Sequence, residues 1–318
     1  MIESAQHHPS TSHSPNMTLS QPRYVVITPI RDEETYIRCT LESMINQTVL
    51  PQEWIIVNDG STDQTGAIVD DYASKYSWIR VVHRNNRGYR KAGGGVVDAF
   101  NDGYRALRGA DWDFIVKCDG DLTFAPDYFE KCFDNFDQEP TLGVGGGTIC
   151  HVTNGNKHVE RCPTFHVRGA TKIYRKDCWD AIGGFWPAPG WDTIDEVKAT
   201  RLGWTTRSFP DLHLIHHRPT GTAEGIWAGL VKDGRADYVC GYHPLFMVSK
   251  CLIRLIHEPY VIGSIALLYG FVSGYVKHVP RVDDPATVEF LRQQQMKRLR
   301  GGDSIWTKAD QKKSSSGT

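Results

Sequence analysis

Short apolar runs that stop abruptly at polar or charged residues recur along the first third of the chain. The first, Tyr24 to Thr28, is closed by Pro29, and the second, Glu53 to Val57, by Asn58 and Asp59. A third, Trp78 to Val82, gives way to His83, and a fourth, Phe114 to Val116, runs into Asp119, Gly120 and Asp121. Their β-branched content marks them as strands buried on both faces. Between them the apolar period lengthens to that of a helix: Tyr36, Ile37, Leu41, Met44 and Ile45, a second stretch reaching about Lys75, then Val97, Phe100, Tyr104 and Leu107. Strands alternating with helices predict an α/β fold around a mostly parallel central sheet. Each strand then delivers its polar end to the carboxyl edge, where such sheets bind ligands.

The pattern loosens after residue 125 without ending. Leu142 to Thr148 reads as a glycine-rich strand that something approaches closely. Arg168 to Arg175 precedes a short helix, Asp177 to Ile182, closed by Gly183 and Gly184, and an apolar strand follows at roughly Thr205 to Phe209. Residues 222–241 read as a glycine-interrupted helix. Leu245, Val248, Leu252 and Leu255 share one face of the next helix, while Lys250, Arg254 and His257 share another, which suits an acidic lipid surface. From Pro259 to Val276 there is no charge, and Gly270 and Gly274 have the spacing of a helix-packing motif. That segment is compatible with a short membrane helix, an interfacial hairpin or a buried core helix. Residues 283–300 form a polar helix.

With 318 residues, 40% of them hydrophobic, the chain can bury one large α/β domain and an appendage. A net charge of −1 disfavours nucleic acid as a partner. The eight cysteines include no C-x-x-C pair, and residues 1–22 lack the apolar core of a signal peptide, so the expectation is reduced thiols in a cytoplasmic compartment. Residues 1–22 and 307–318 read as disordered tails.

The candidate chemistry gathers at the strand ends. Asp119 and Asp121 suit a hard divalent cation, Mn²⁺ or Mg²⁺, on a diphosphate. Asp32, Glu33 and Glu34 open a helix and have capping as a sufficient explanation; capping accounts for one acid of 59–63 but not for all. The stretch from His83 to Gly95 mixes glycine with Arg87, Arg90 and Lys91, as an anion site does. It follows the third strand and carries neither a dinucleotide fingerprint nor a Walker lysine, which disfavours a dehydrogenase or a P-loop enzyme.

Four ordered motifs carry a resemblance: Pro29 to Glu34, Val57 to Asp63, Asn86 to Gly88, and Asp119 to Asp121. Over residues 23–221 the chain resembles the family 2 glycosyltransferases of GT-A fold, with a nucleotide half at 23–125 and an acceptor half at 126–221; beyond the resemblance, the pattern at 222–306 is that of a helical, membrane-associated region. Asp32 stands where the family commonly has Asn, and Asn58 where it often has Asp. The resemblance implies that Pro29, Glu33, Val57 and Asp59 hold the nucleoside, that Asp119 contacts ribose or metal, that Asp121 binds the metal, and that Lys91 is a phosphate contact. Gly183 to Phe185 matches the family's Gly-Gly-Phe turn. Counting back from Gly203 aligns Asp192 with the catalytic acid, leaving Asp195 and Glu196 as substitutes and helix capping as the competing explanation. His217 would complete a Mn²⁺ site and Arg218 would pair with the diphosphate, as the family often places a His or Arg there.

The implied activity is metal-dependent, inverting transfer from a nucleoside-diphosphate sugar, UDP- or GDP-linked, to a hydroxyl acceptor in a cell-surface polysaccharide or lipid-linked glycan. The expected place is the cytoplasmic face of a membrane. Alternatives are transfer to a polyprenyl phosphate, as in dolichyl-phosphate mannose synthases, a non-catalytic sugar-nucleotide-binding scaffold at a membrane, and nucleotidyl transfer.

Overall fold

The computed structural model describes residues 21–89, 94–153, 155–160, 162–218, 225–256 and 258–307. Its centre is one sheet in the order β3-β2-β1-β4-β8-β6-β9-β5, with β7 (Asn156–Val159) paired to β6. The four strands read from the sequence are β1 (Tyr24–Ile30), β2 (Glu53–Asn58), β3 (Ile79–His83) and β4 (Phe114–Cys118), and they are mutually parallel. From β1 the chain winds outward to β2 and β3, then returns to place β4 on the other side of β1. That reversal opens a crevice between the carboxyl ends of β1 and β4.

Alternation along each strand builds two helix layers. Val26, Trp54, Ile56 and Val116 pack on one face with α1 (Ile37–Ile45), α2 (Thr65–Lys75) and α4 (Tyr128–Gln138). Val25, Ile27, Ile55, Val57 and Ile115 pack on the other with α3 (Gly94–Arg105) and α5 (Lys176–Ile182). Gly103 lets α3 sit close to the sheet, since a Cβ there would fall 2.6 Å from the Ile27 side chain.

The second half of the sheet is mixed. β8 (Thr171–Arg175) runs antiparallel to β4, and β5 (Leu122–Phe124) antiparallel to β9 (Thr205–His216). β6 (Leu142–Thr153) is longer than its glycine run implies, and β9 continues seven residues past Phe209, because a bulge lets both strands carry on. At that bulge Gly147 pairs with Phe209 while Thr148 pairs with His213. The glycines of β6 answer to protein: a Cβ on Gly146 would meet the Thr171 carbonyl at 2.6 Å, and one on Gly147 the Leu212 carbonyl at 2.5 Å.

The carboxyl-terminal helices are α7 (Gly225–Val239), α8 (Pro244–Arg254), α9 (Tyr260–Val276) and α10 (Pro285–Leu299). They share a third core with α6 (Trp191–Arg201), through Ile194, Val197, Tyr238, Leu267, Phe271 and Leu291. Arg201 ties α6 to α10 by donating to Thr287 Oγ1 at 3.0 Å. Gly270 and Gly274 serve packing inside the chain: a Cβ at Gly270 would lie 2.1 Å from the Val231 carbonyl, and one at Gly274 2.3 Å from the Tyr238 ring. Among the described residues no helix is long and apolar enough to cross a membrane.

Candidate active site

The tip of β1 and the tip of β2 are stitched together backbone to side chain. Pro29 lies opposite Val57 in the parallel register, and Asp59 N donates to Ile30 O at 2.8 Å. Asp32 takes a left-handed backbone, φ 53°, a conformation that Asp tolerates better than most residues. Its Oδ1 accepts from Thr62 N at 2.8 Å, and its own N–H donates to Ser61 Oγ at 3.0 Å. Gly60, at φ 72°, crosses Asn86 so closely that a Cβ would fall 2.5 Å from the Asn86 Cα. Asp59 is thereby held at the strand tip, where Arg84 (2.6 Å) and Arg87 (2.5 Å) grip its carboxylate. Those two arginines place positive charge beside the proposed nucleoside site; both lie in the His83 to Gly95 stretch expected to bind an anion, Arg87 beside glycine and Arg84 with no signal in the sequence beyond its charge.

Glu33 sits in the crevice with its N–H on Thr65 Oγ1 and its carboxylate 2.8 Å from the Arg218 guanidinium. Arg218 lies 185 positions away and also donates to Asp32 O. The end of β9 is therefore folded back over the tip of β1. Lys91 falls outside the described residues.

The acid pair lies across the crevice, between β4 and β5. Gly120 allows the turn to press on β1, since a Cβ there would lie 2.5 Å from the Ile30 side chain. Asp119 N donates to Ala170 O at 2.8 Å, and its carboxylate pairs with the buried ammonium of Lys117, which also bonds Gly169 O at 2.5 Å. Burial pushes the Asp119 carboxyl above its ordinary range; Lys117 draws it down and the charge of Asp121 drives it up again. Asp121 Oδ2 stands 3.2 Å from Nε2 of His216. Burial alone would lower the His216 pKa, but its hydrogen bond to Asp121 and the field of Asp119 more than offset that, and the ring is held above its usual value.

The histidine at the acid pair is thus His216, one residue before the expected His217. Strand parity decides this, because neighbours on β9 point to opposite faces. His217 instead bonds Thr123 Oγ1 at 2.7 Å and stacks on Tyr36, with ring centroids 5.2 Å apart. Burial lowers its pKa. Asp119, Asp121 and His216 each offer one ligand atom, and the three atoms lie within 4.8 Å of one another. Two carboxylate oxygens and an imidazole nitrogen form a donor set that fits Mn²⁺ or Mg²⁺.

Asp192 reaches the same region from α6. The residue preceding the helix is Gly190, which makes no side-chain cap, and Asp192 takes the second helical position. Capping therefore does not explain it. A Cβ on Gly169 would lie 3.4 Å from Asp192 Oδ2 and 3.1 Å from the Trp191 ring, so Asp192 borders Gly169 while Asp119 is bonded to the next residue, Ala170. The half-buried Asp192 carboxylate takes no hydrogen bond from the described residues.

Asp195 and Glu196 are otherwise engaged. The fully buried ammonium of Lys172 lies 2.9 Å from a carboxylate oxygen of each and 2.6 Å from the Asp192 carbonyl. Tyr174 donates to Asp195, and Glu196 holds His166 Nδ1 at 2.8 Å and Val167 N at 2.7 Å. Burial pushes the Asp195 carboxyl up to about 6, with Lys172 opposing and Glu196 adding to the rise. These two acids form the floor on which Asp192 stands. Strand β8 reads Thr-Lys-Ile-Tyr-Arg, polar enough that Lys172 gives no sign of burial in the sequence; once buried, its cation requires the anions beside it.

Residues 25–186, over half of the chain, match the family model described as glycosyl transferase family 2, and the chain belongs to that family. It is 36% identical over 126 residues to a Bacillus subtilis protein named as glycosyltransferase EpsH, covering 40% of this chain and 34% of that one. It is 30% identical over 125 residues to chondroitin synthase of Escherichia coli, 39% of this chain and 16% of the synthase. The matched part spans about a third or less of these relatives' length. Among solved structures, the mannosyltransferase PcManGT of Pyrobaculum calidifontis, in complex with GDP-Man and Mn²⁺, aligns at a TM-score of 0.52 and 17% identity over 89% of this chain and 76% of its own. TarS 1–349 of S. aureus aligns equally well, at 0.52 and 18% identity over 87% and 83%. At such identities the likeness speaks to the fold, which is the GT-A arrangement.

Proposed function

We propose that this chain is an inverting glycosyltransferase that moves a sugar from a nucleoside-diphosphate sugar to a hydroxyl group on a polysaccharide or lipid-linked glycan. The observation that supports it best is the cluster of Asp119, Asp121 and His216 bonded to segment 169–170 through Asp119, with Asp192 bordering the same segment at Gly169. Pro29, Glu33, Val57 and Asp59 would receive the nucleoside, with Arg84 and Arg87 exchanging part of their grip on Asp59 for the ligand. Arg218 would turn from Glu33 toward the diphosphate. A divalent cation held by Asp119, Asp121 and His216 would neutralise charge on the departing diphosphate.

Asp192 accepts the acceptor hydroxyl's proton as that oxygen attacks the anomeric carbon. The new carbon–oxygen bond forms opposite the one to the diphosphate, which breaks and takes its electron pair with it. One base and no enzyme nucleophile give inversion at that carbon. The donors bound to related folds, GDP-Man in one and UDP-GlcNAc in another, support a UDP- or GDP-sugar. The place of action we favour is the cytoplasmic face of a membrane, where a lipid-linked acceptor is carried. A polyprenyl phosphate is the second acceptor reading, favoured by the apolar surface of α8 and α9.

The test is a thermal-shift panel of nucleotide sugars with Mn²⁺, followed by transfer and determination of the product's anomeric configuration. Stabilisation by one donor class and inversion support the proposal. Release of pyrophosphate would instead identify nucleotidyl transfer, and donor binding without turnover would identify a scaffold.

A further inference from the structure

The α8–α9 hairpin has its side-chain sizes reversed from those of a helix pair facing water. The buried face of α9 is made of Gly263, Ser264, Ala266, Leu267, Gly270, Phe271, Ser273 and Gly274, with Gly263 and Ser264 against α8 and Gly270, Ser273 and Gly274 against α7. Small residues there let the helices approach until a Cβ on Gly234 of α7 would overlap the Leu267 carbonyl. The outward face carries the bulk: Val261, Ile262, Ile265, Leu268, Val272 and Val276, all exposed. Ile262 is 62% exposed and Val276 72%. α8 continues the surface with Leu245, Val248, Leu252 and Ile253, and Ile256 follows it. Contiguous apolar surface on this scale marks an interaction site.

Charge and ring placement identify the occupant. Between residues 244 and 281 there are four Lys and Arg against one acid, Glu258, in a chain whose net charge is −1. The cations that rim the stripe stand at its two ends. Arg254 lies at the α8–α9 crook, donating to Glu258 O; Lys277 is exposed just past Val276, and Arg281 lies over the rings of Tyr238, at 4.3 Å, and Tyr275, at 4.5 Å. Lys250 is taken up by Asp237. Tyr260, Tyr269 and Tyr275 are exposed among the aliphatic residues, as at a boundary between hydrocarbon and headgroups. The 17 residues of α9 reach only about 26 Å, short of the roughly 30 Å hydrocarbon core.

We infer that α8 and α9 lie flat in the lipid–water interface of an anionic bilayer, with their aliphatic face in the acyl boundary and Arg254, Lys277 and Arg281 against phosphate headgroups. α7 separates this surface from the catalytic helix: it packs on α9 through Gly234, while Cys240 at its end abuts Gly190 beside Asp192. An acceptor carried by a membrane lipid would thus present its hydroxyl at headgroup depth, a consequence that rests on the glycosyl-transfer reading. The docking itself does not.

Flotation of the full chain with phosphatidylcholine vesicles, with and without phosphatidylglycerol, tests this without sugar or metal. The expected result is binding that favours the anionic vesicles and weakens as salt rises. Replacing two exposed residues together, Ile262→Glu and Ile265→Glu, should cut partitioning by about 10² or more. Lys277→Ala should cost about fivefold on anionic vesicles alone. Nucleotide-sugar hydrolysis in solution should be the same in all three proteins. No flotation with either vesicle, or undiminished flotation of the double variant, overturns the inference. So does light scattering that shows a dimer which the double variant breaks, since a second copy would then cover this face.

Discussion

Replacing Lys172 by Met removes a cation that is fully buried among Asp195, Glu196 and the Asp192 carbonyl. Methionine fills nearly the same volume, so the cost is electrostatic. Two carboxylates remain out of water, with Tyr174 and His166 as partners but no compensating ammonium. Breaking a buried ion pair from one side costs about 3–5 kcal/mol. At roughly 2–4 °C per kcal/mol for a domain of this order, the melting temperature should fall by roughly 6–20 °C. The sign of the pH effect follows from Asp195. Its folded-state pKa, about 6, lies above the unfolded value, so stability falls as pH rises from the unfolded pKa through about 6. Without Lys172 that pKa climbs further, so the variant loses more stability than the parent between pH 5 and pH 7. Urea melts followed by tryptophan fluorescence at both pH values measure the gap. A gap below about 1 kcal/mol at pH 7, or one as wide at pH 5 as at pH 7, would refute the reasoning.

His216→Ala should raise the Mn²⁺ concentration needed for donor turnover by about 10-fold or more, while His217→Ala should leave it nearly unchanged; a metal titration of each distinguishes them. His166, whose pKa the Glu196 carboxylate raises against the opposing effect of burial, gives stability that is full below its unfolded pKa and lost as pH rises through the folded one. His166→Phe should flatten that part of the stability profile above neutral pH. Gly60→Ala should cost about 1–3 kcal/mol in chemical denaturation, because a positive φ and the Asn86 backbone both reject a side chain.

The parallel half of the sheet is readable because its strands are pure apolar runs, and each polar residue that ends one marks the carboxyl edge. Asp59, Asp119 and Asp121 are therefore found where the run lengths put them. The mixed half is harder to read. β9 passes through Pro210 and Asp211 at a bulge, so its pattern breaks at Phe209 while the strand continues to His216. The expectation of His217 rests on the resemblance alone; the bulge at Phe209 to His213 shifts which β9 side chain reaches the acid pair, and that residue is His216. Lys117 and Lys172 look like the polar half of an alternation, yet both are buried, and only the acids that surround them in space reveal why. The outward-facing bulk of α9 is invisible in composition, because a core helix and an interfacial helix are equally free of charge over 18 residues.

The central claim is that Asp192 takes the acceptor's proton while the donor is held elsewhere in the crevice. Calorimetry of donor binding with Mn²⁺, paired with nucleoside-diphosphate release by Asp192→Asn, tests it most directly. Donor affinity should equal the parent's, with turnover lower by about 10²–10⁴. Turnover at the parent's rate would contradict it.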